Sequence, residues 1–200
     1  GWAVFCSVFA LLQQQSYWAF FGIVPLAFVL WFFRDPNRIT TQGQDVVVAP
    51  ADGTIIEIKI AELNRYLPSG MKKISIFMSP FNVHVNRIPI GGVIEELHYH
   101  KGRFLTAFHE KASQENEQQF VIIRNEKGII GCVQIAGWFA RRIACHLQIG
   151  QHVETGERFG MIKFGSRLDV YIPESCDVGV KLKQKVRAGE TILGVFHEEK

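Results

Sequence analysis

Cysteine is scarce in this chain. Its four thiols, Cys6, Cys132, Cys145 and Cys176, are scattered, with no CxxC pair among them. That spacing points to neither a zinc site nor a disulfide framework, and it suits a reduced compartment. No metal is expected. Charge of one sign is also lacking. A net charge of +3 is too mild for a nucleic-acid partner and suits a modest attraction to an anionic membrane surface. No segment is of low complexity. The N-terminal apolar stretch has neither the basic start nor the small-residue end of a signal peptide. Gly1 in place of a methionine fits a chain trimmed upstream. From Tyr17 to Phe33 there is no charge at all.

What is present is apolar material, 48% of 200 residues, enough for one domain or one domain plus a membrane segment. Trp2 to Leu12 is almost wholly hydrophobic. Gln13-Gln14-Gln15-Ser16 breaks it, and the uncharged run to Phe33 follows. At about 1.5 Å per residue that second run is near the short limit for crossing a bilayer. Trp18 and Trp31 lie near its ends, and Arg34 and Arg38 follow, which by the positive-inside rule places the remainder in the cytoplasm. Residues 1–36 therefore read as a membrane-associated apolar helical hairpin, either spanning or interfacial. The expected location is the cytoplasmic face of the cell membrane.

Asp35-Pro36 ends the helix, and the period then changes to strands. VVVAP and TIIEIKI flank the turn Ala51-Asp52-Gly53. KKISIFM is a further strand. FNVHVNRIPIGGVIEELHYH reads as two strands interrupted by Pro89 and Gly91-Gly92. QQFVIIRN and GIIGCVQIAG form a hairpin about Asn125-Glu126-Lys127-Gly128. Residues 114 to 119 read as turn or short helix, and Trp138 to Gly150 gives no clear signal. Gly150 to Glu157 and Lys185 to Glu190 echo each other, each a turn followed by a strand. The fold class expected is mainly β (α+β): a sandwich or barrel of short antiparallel strands over residues 37–200, with the apolar hairpin before it.

The chemistry centres on Gly165-Ser166, inside FGSRLDVYIP. Gly165 has no Cβ, so its carbonyl can be held open to attack. Ser166 supplies an oxygen nucleophile on the adjacent residue. Attack converts the peptide bond to an ester. β-Elimination and loss of ammonia then leave a pyruvoyl group at residue 166. That group is a ketone that amines condense with, and it serves as an electron sink. Ser166 needs a base, and histidine suits that task near neutral pH. His84, flanked by Val83 and Val85 in a strand-like segment, is the candidate, and Asp52 is placed to orient such a histidine. Taken singly, Gly-Ser is a common turn pair, His84 an ordinary histidine and Asp52 a turn residue.

The ordered set FFRDPNR, APADG, MSPFNVHVNRIP, HYHKGRFLTA, KASQENE, QIAG with ARRI, GERFGMIKFGSRLDVYIP and GETILG resembles the short form of the phosphatidylserine decarboxylase proenzyme family, from about residue 32 to 195. The resemblance implies self-cleavage at Gly165-Ser166 into a β chain, residues 1–165, and an α chain, residues 166–200, that stay together. It implies an Asp52–His84–Ser166 arrangement for cutting and a covalent pyruvoyl cofactor. It also implies decarboxylation of phosphatidylserine to phosphatidylethanolamine at a membrane. One departure stands out. The long bacterial form carries two histidines three apart after its Ser-Pro pair, and the second position here is Arg87. The histidine role then falls on His84 or on a histidine from elsewhere. Arg87, Arg141 and Arg142 are candidates to hold the lipid phosphate. Three alternatives stay open: an archaeal-type ether lipid as substrate, a non-catalytic lipoyl- or biotinyl-like barrel with Lys163 as its modified residue, and a membrane-anchored structural protein. The sequence leaves a homo-oligomer open.

Overall fold

A computed structural model describes residues 2, 20–41, 43, 45–62, 65–102, 116–137, 142–162 and 166–197. The chain divides into two compact units, Gly1–Arg34 and Asp35–Lys200. In the first, an uncharged stretch forms helix α1, residues 20–32. Phe20, Phe21, Ile23, Leu26 and Leu30 are exposed along it. Arg34 closes the helix, donating from a guanidinium nitrogen to the Trp31 carbonyl at 2.9 Å and lying 4.2 Å over the Trp31 ring. Among the described residues no helix is long and apolar enough to cross a membrane. The expected first arm of the hairpin, apart from Trp2, lies outside the described residues.

The second unit is built of strands β1 (Val46–Val48), β2 (Gly53–Ile60), β3 (Lys72–Met78), β4 (Val85–Arg87), β5 (Gly92–His100), β6 (Gln118–Asn125), β7 (Gly128–Ala136), β8 (Ile143–Cys145), β9 (His152–Val153), β10 (Arg158–Ile162), β11 (Ser166–Ile172), β12 (Cys176–Val178), β13 (Lys185–Val186) and β14 (Ile192–Phe196). They form an eight-stranded sheet in the order β13-β2-β3-β11-β7-β6-β5-β9 and two three-stranded sheets, β1-β14-β12 and β4-β10-β8. Every pairing is antiparallel. This is the mainly β architecture expected. The β6–β7 hairpin turns between Asn125 and Gly128 as its sequence predicts. Gln118 and Gln119, expected in a turn or short helix, are instead the first residues of β6, because their backbones pair with His100 and Tyr99.

The strand orders expose a pseudo-two-fold symmetry. β1, β2, β3, β11, β12, β13 and β14 correspond to β4, β5, β6, β7, β8, β9 and β10. The weak echo in the sequence is one part of it. Ile55 N–H reaches the Gln184 carbonyl and Ile94 N–H the Gln151 carbonyl, both at 2.9 Å. Gly189 donates to Ala49 and Gly156 to Ile88, both at 2.8 Å. The halves meet in a mutual exchange: Val48 N–H to the Pro89 carbonyl and Arg87 N–H to the Pro50 carbonyl, both at 2.8 Å. Irregularities recur at Ile55/Glu57 and Ile94/Glu96. Gly53 and Gly92 are equivalent, and a Cβ on either would lie 2.3 or 2.4 Å from a carbonyl of the neighbouring strand.

This symmetry positions the site. The second half, β4 to β10, is continuous in sequence and inserted between β3 and β11 of the first. In the second half, β6 and β7 are joined by a tight turn. Their equivalents β3 and β11 pair just as closely, with Met78 opposite Ser166, but the entire second half stands where their turn would be. Ser166 is thus the first described residue where the chain has returned from the insertion.

The inner face of the large sheet carries the main apolar core, including Ile55, Ile76, Met78, Ile94, Ile123, Cys132 and Leu168. The other face carries a smaller apolar cluster about Leu67, Phe120, Val133 and Tyr171, together with buried charge. There Lys73 Nζ lies 2.5 Å from Glu57 and Arg167 lies 2.7 Å from Asp169. Burial alone would raise the Glu57 carboxyl, but Lys73 and Lys59 hold it at about 2, below its usual 4.5. A depressed acid stabilises the fold fully above its unfolded value and loses that contribution as pH falls through the folded one. Glu57→Gln should therefore lower stability at neutral pH by about 1 kcal/mol, after allowance for solvent screening. The gap between variant and parent should close on acidification from about 4.5 toward 2. Urea unfolding across that range checks this, and a gap that does not change with pH would contradict it.

Candidate active site

Ser166 opens β11 and is fully buried. Its Oγ donates to Met78 Sδ at 3.4 Å. Beyond Met78 the chain turns at once: Ser79 N–H and Oγ both donate to Asn82 Oδ1, at 2.9 and 2.8 Å, and Asn82 N–H returns to the Ser79 carbonyl at 3.0 Å. This clasp carries the chain back into Val83, His84 and β4. The β4–β10 register sets Asn86 opposite Gly160 and Val85 opposite Met161, so one further step brings His84 alongside Ile162. Ile162 is the last residue of β10, and residues 163–165 connect it to Ser166. The ends of β3, β4, β10 and β11 therefore converge, and the predicted base and nucleophile are both carried there.

His84 and Asn86 alternate with Val85, share one side of the strand and are fully buried. Asn86 Nδ2 lies 3.8 Å from Met78 Sδ, and Gln134 Nε2 donates to Asn86 Oδ1 at 2.9 Å. Gln134 Oε1 is buried with no hydrogen-bond partner among the described residues. A Cβ on Gly160 would lie 3.1 Å from Gln134 Nε2 and 2.2 Å from the Ala144 carbonyl, so the glycine makes room for this carboxamide. On the far side, Asn116 Nδ2 donates to the Ala136 carbonyl at 2.8 Å, and Ala136 is the β7 partner of Ser166. Met78, Asn86, Gln134 and Asn116 were not singled out from the sequence. One legible signal was a glutamine inside the apolar run GIIGCVQIAG, since a buried polar side chain needs a reason to be there.

Two expectations fare differently. The Asp52 carboxylate, expected to orient the histidine, instead accepts Arg38 on Oδ2 at 2.9 Å and the Ala188 N–H on Oδ1 at 2.8 Å. Both oxygens are thereby engaged in fastening the segment after Pro36 to the turn before β14. Arg87, a candidate phosphate ligand, is buried and points the same way. It donates to the Gly156 carbonyl at 3.0 Å, to the Pro36 carbonyl at 3.3 Å and to Asp35 at 3.4 Å. Those contacts fasten it to the linker. Arg142 is exposed. Arg141, Lys163 and Gly165 lie outside the described residues.

Competing nucleophiles are quiet. Burial pushes the thiols of Cys132 and Cys145 above their usual value and that of Cys176 up to about 11. All three are thiols, not thiolates, near neutral pH. No group of three metal-ligating side chains occurs among the described residues.

The comparisons with known proteins converge on one family. The family model for phosphatidylserine decarboxylase matches residues 26–194. A phosphatidylserine decarboxylase proenzyme of Geotalea uraniireducens is 46% identical over 190 residues, covering 94% of this chain and 88% of its own. One from Chlorobium phaeovibrioides is 49% identical over 168 residues, 84% of this chain and 76% of its own. One from Nitrosomonas europaea is 44% identical over 204 residues, 98% of this chain and 94% of its own. With a family model that spans residues 26–194 and relatives 44–49% identical over most of its length, the chain belongs to the phosphatidylserine decarboxylase family.

Proposed function

We propose that this chain is a proenzyme that cuts its own Gly165-Ser166 bond and decarboxylates phosphatidylserine to phosphatidylethanolamine. The observation that carries the reading is the placement of Ser166, buried, at the opened turn between β3 and β11, beside the segment that bears His84. A pyruvoyl group derived from Ser166 supplies the ketone and the electron sink for carboxylate loss. The site fits that group. Residue 166 already lies against the Met78 thioether, an apolar neighbour suited to a methyl as well as to a hydroxyl.

The chain's own residues do the rest. His84 takes the Ser166 proton during cutting and holds a proton for the substrate carbon during turnover. Burial excludes water and favours loss of the negative carboxylate. Arg142, with Arg141, attracts the phosphate. The two products of cutting stay together because β11 lies between β3 and β7 in the middle of the large sheet, while β12 to β14 extend into the rest of the fold. The uncharged exposed face of α1 and the arginines after it support association with the cytoplasmic face of the cell membrane.

Incubation of the purified protein with phosphatidylserine vesicles tests the activity. Release of carbon dioxide and phosphatidylethanolamine is expected, and loss of both after borohydride treatment, which reduces a ketone. Activity untouched by borohydride would remove the pyruvoyl group from the account. His84→Ala should slow cutting by about 10²–10⁴-fold, the usual contribution of a positioned base. A time course of chain cleavage on gels reads this directly, and normal cutting in the variant would assign the proton transfer to another histidine.

A further inference from the structure

Ser166 and Met78 are partners in the β3–β11 ladder, and their neighbours fix which backbone groups face each other. Ala136, opposite Ser166 on β7, sends its N–H to the Glu117 carbonyl at 3.0 Å and receives Asn116 Nδ2 on its own carbonyl at 2.8 Å. Both groups point away from β11, so Ser166 and Ala136 form a non-hydrogen-bonded pair and Ser166 faces β3. The opposite side of the sheet gives the same answer. Ile55 bonds Gln184 and Lys183 through its N–H and carbonyl, away from β3. Thr54 then faces β3, its partner Phe77 faces β2, and Met78 faces β11. Ser166 and Met78 are therefore a hydrogen-bonded pair, each N–H donating to the other's carbonyl.

We infer that the backbone of Met78 is the dock for the reacting end of the α chain and for the substrate's amine. The inference rests on the pyruvoyl reading above. In that conversion the Ser166 oxygen bonds to the Gly165 carbonyl carbon, and the C–N bond breaks with a proton moving to nitrogen. Elimination then removes the Cα proton and releases the Gly165 carboxylate. One water supplies the ketone oxygen, and the nitrogen leaves as ammonia. No oxidant or reductant is consumed. The residue-166 carbonyl keeps the Met78 N–H, which lies where negative charge gathers as the substrate carboxylate departs. The Met78 carbonyl loses its donor. A buried carbonyl stripped of its partner is costly, and it is repaid when an N–H arrives. The headgroup amine of phosphatidylserine brings one to the carbon that carried the lost nitrogen. A quaternary choline headgroup has none.

Carbonyl-¹³C methionine labelling reads this in the unaltered enzyme. The chain has three methionines, and Met71→Leu and Met161→Leu variants assign the signals. Relative to the uncut Ser166→Ala chain, the Met78 carbonyl signal of the processed enzyme should move upfield. Short-chain phosphatidylethanolamine should return it downfield, while short-chain phosphatidylcholine leaves it in place. The Met71 carbonyl, which keeps the Ala61 N–H, serves as the fixed reference. A Met78 signal identical in cut and uncut chains, or indifferent to the amine lipid, would overturn the inference and leave the pyruvoyl reading standing. An intact mass with unmodified Ser166 would overturn both. Replacing Ser79 with its α-hydroxy acid weakens the Met78 carbonyl as an acceptor and also removes the N–H that donates to Asn82 Oδ1, so an Asn82→Ala chain, which loses that same bond but keeps the Met78 amide, is the control. Binding of phosphatidylethanolamine should fall about tenfold with phosphatidylcholine binding unchanged. Equal affinity for the amine lipid in that chain would count against the dock.

Discussion

Ser166→Ala gives a chain that folds, stays in one piece and has no decarboxylase activity. The alanine removes the oxygen that attacks Gly165 and, with it, the precursor of the ketone. No other described residue supplies that electrophile. The loss should reach at least about 10⁶-fold, the lower end of what enzymes gain over the uncatalysed reaction. Stability should change little. Among the described residues the hydroxyl bonds the Met78 thioether, a weak acceptor, and alanine keeps the backbone pair with Met78. Gel analysis, a vesicle assay and urea unfolding read the three outcomes. A Ser166→Ala protein that is intact yet still converts phosphatidylserine would place the electron sink elsewhere. A Ser166→Cys chain should still be cut, since a thiol can attack the same carbonyl, which separates a missing nucleophile from a disturbed strand.

The second large effect concerns the other face of the same strand. Arg167 forms a bidentate pair with Asp169, Nε to Oδ1 and Nη2 to Oδ2, both at 2.7 Å. The side chains are 4% and 0% exposed, so water cannot replace the carboxylate. Asp169→Ala should cost about 3–5 kcal/mol, because it breaks a buried bidentate ion pair by removing one partner. Replacing both by apolar residues of similar volume, Arg167→Met with Asp169→Leu, should recover most of that loss. Urea unfolding in the uncut Ser166→Ala background, where one chain unfolds, gives both values. A single variant no less stable than its parent would show that the pair is solvated. After cutting, this pair also holds the first residues of the α chain in register, so Asp169→Ala enzyme should lose its small chain more readily in denaturant.

Much of the fold was legible because the strands are short, punctuated by Pro50, Pro89 and the glycines, and joined by turns of recognisable chemistry. The hairpin at Asn125–Gly128 and the echo between the two Gly-Glu turns follow from local rules. β11 was harder to read. SRLDVYI alternates polar and apolar residues, the pattern of a strand with one wet face. Its polar side is buried all the same, because Arg167 and Asp169 neutralise each other, and no local signal announces a partner two residues away. The symmetry was only glimpsed, since one repeat is interrupted by the other. Spatially adjacent residues such as Met78 and Ser166 stand far apart in the chain. At the site, Ser166 and His84 are the candidates that chemistry names, and both are fully buried. The contacts of Asp52 and Arg87 with Arg38, Asp35 and Gly156 leave no trace in the sequence, because the backbone brings those groups together. A charged residue near a turn looks the same in sequence whether it holds a histidine or a linker.

The account's central claim is that the protein makes its own ketone at residue 166, and intact mass spectrometry of the purified wild-type protein tests it most directly. Two chains are expected, one ending at Gly165 and one spanning residues 166 to 200, the smaller lighter by one ammonia than simple hydrolysis would leave it. A single full-length mass with Ser166 unmodified, from a preparation that decarboxylates phosphatidylserine, would contradict it.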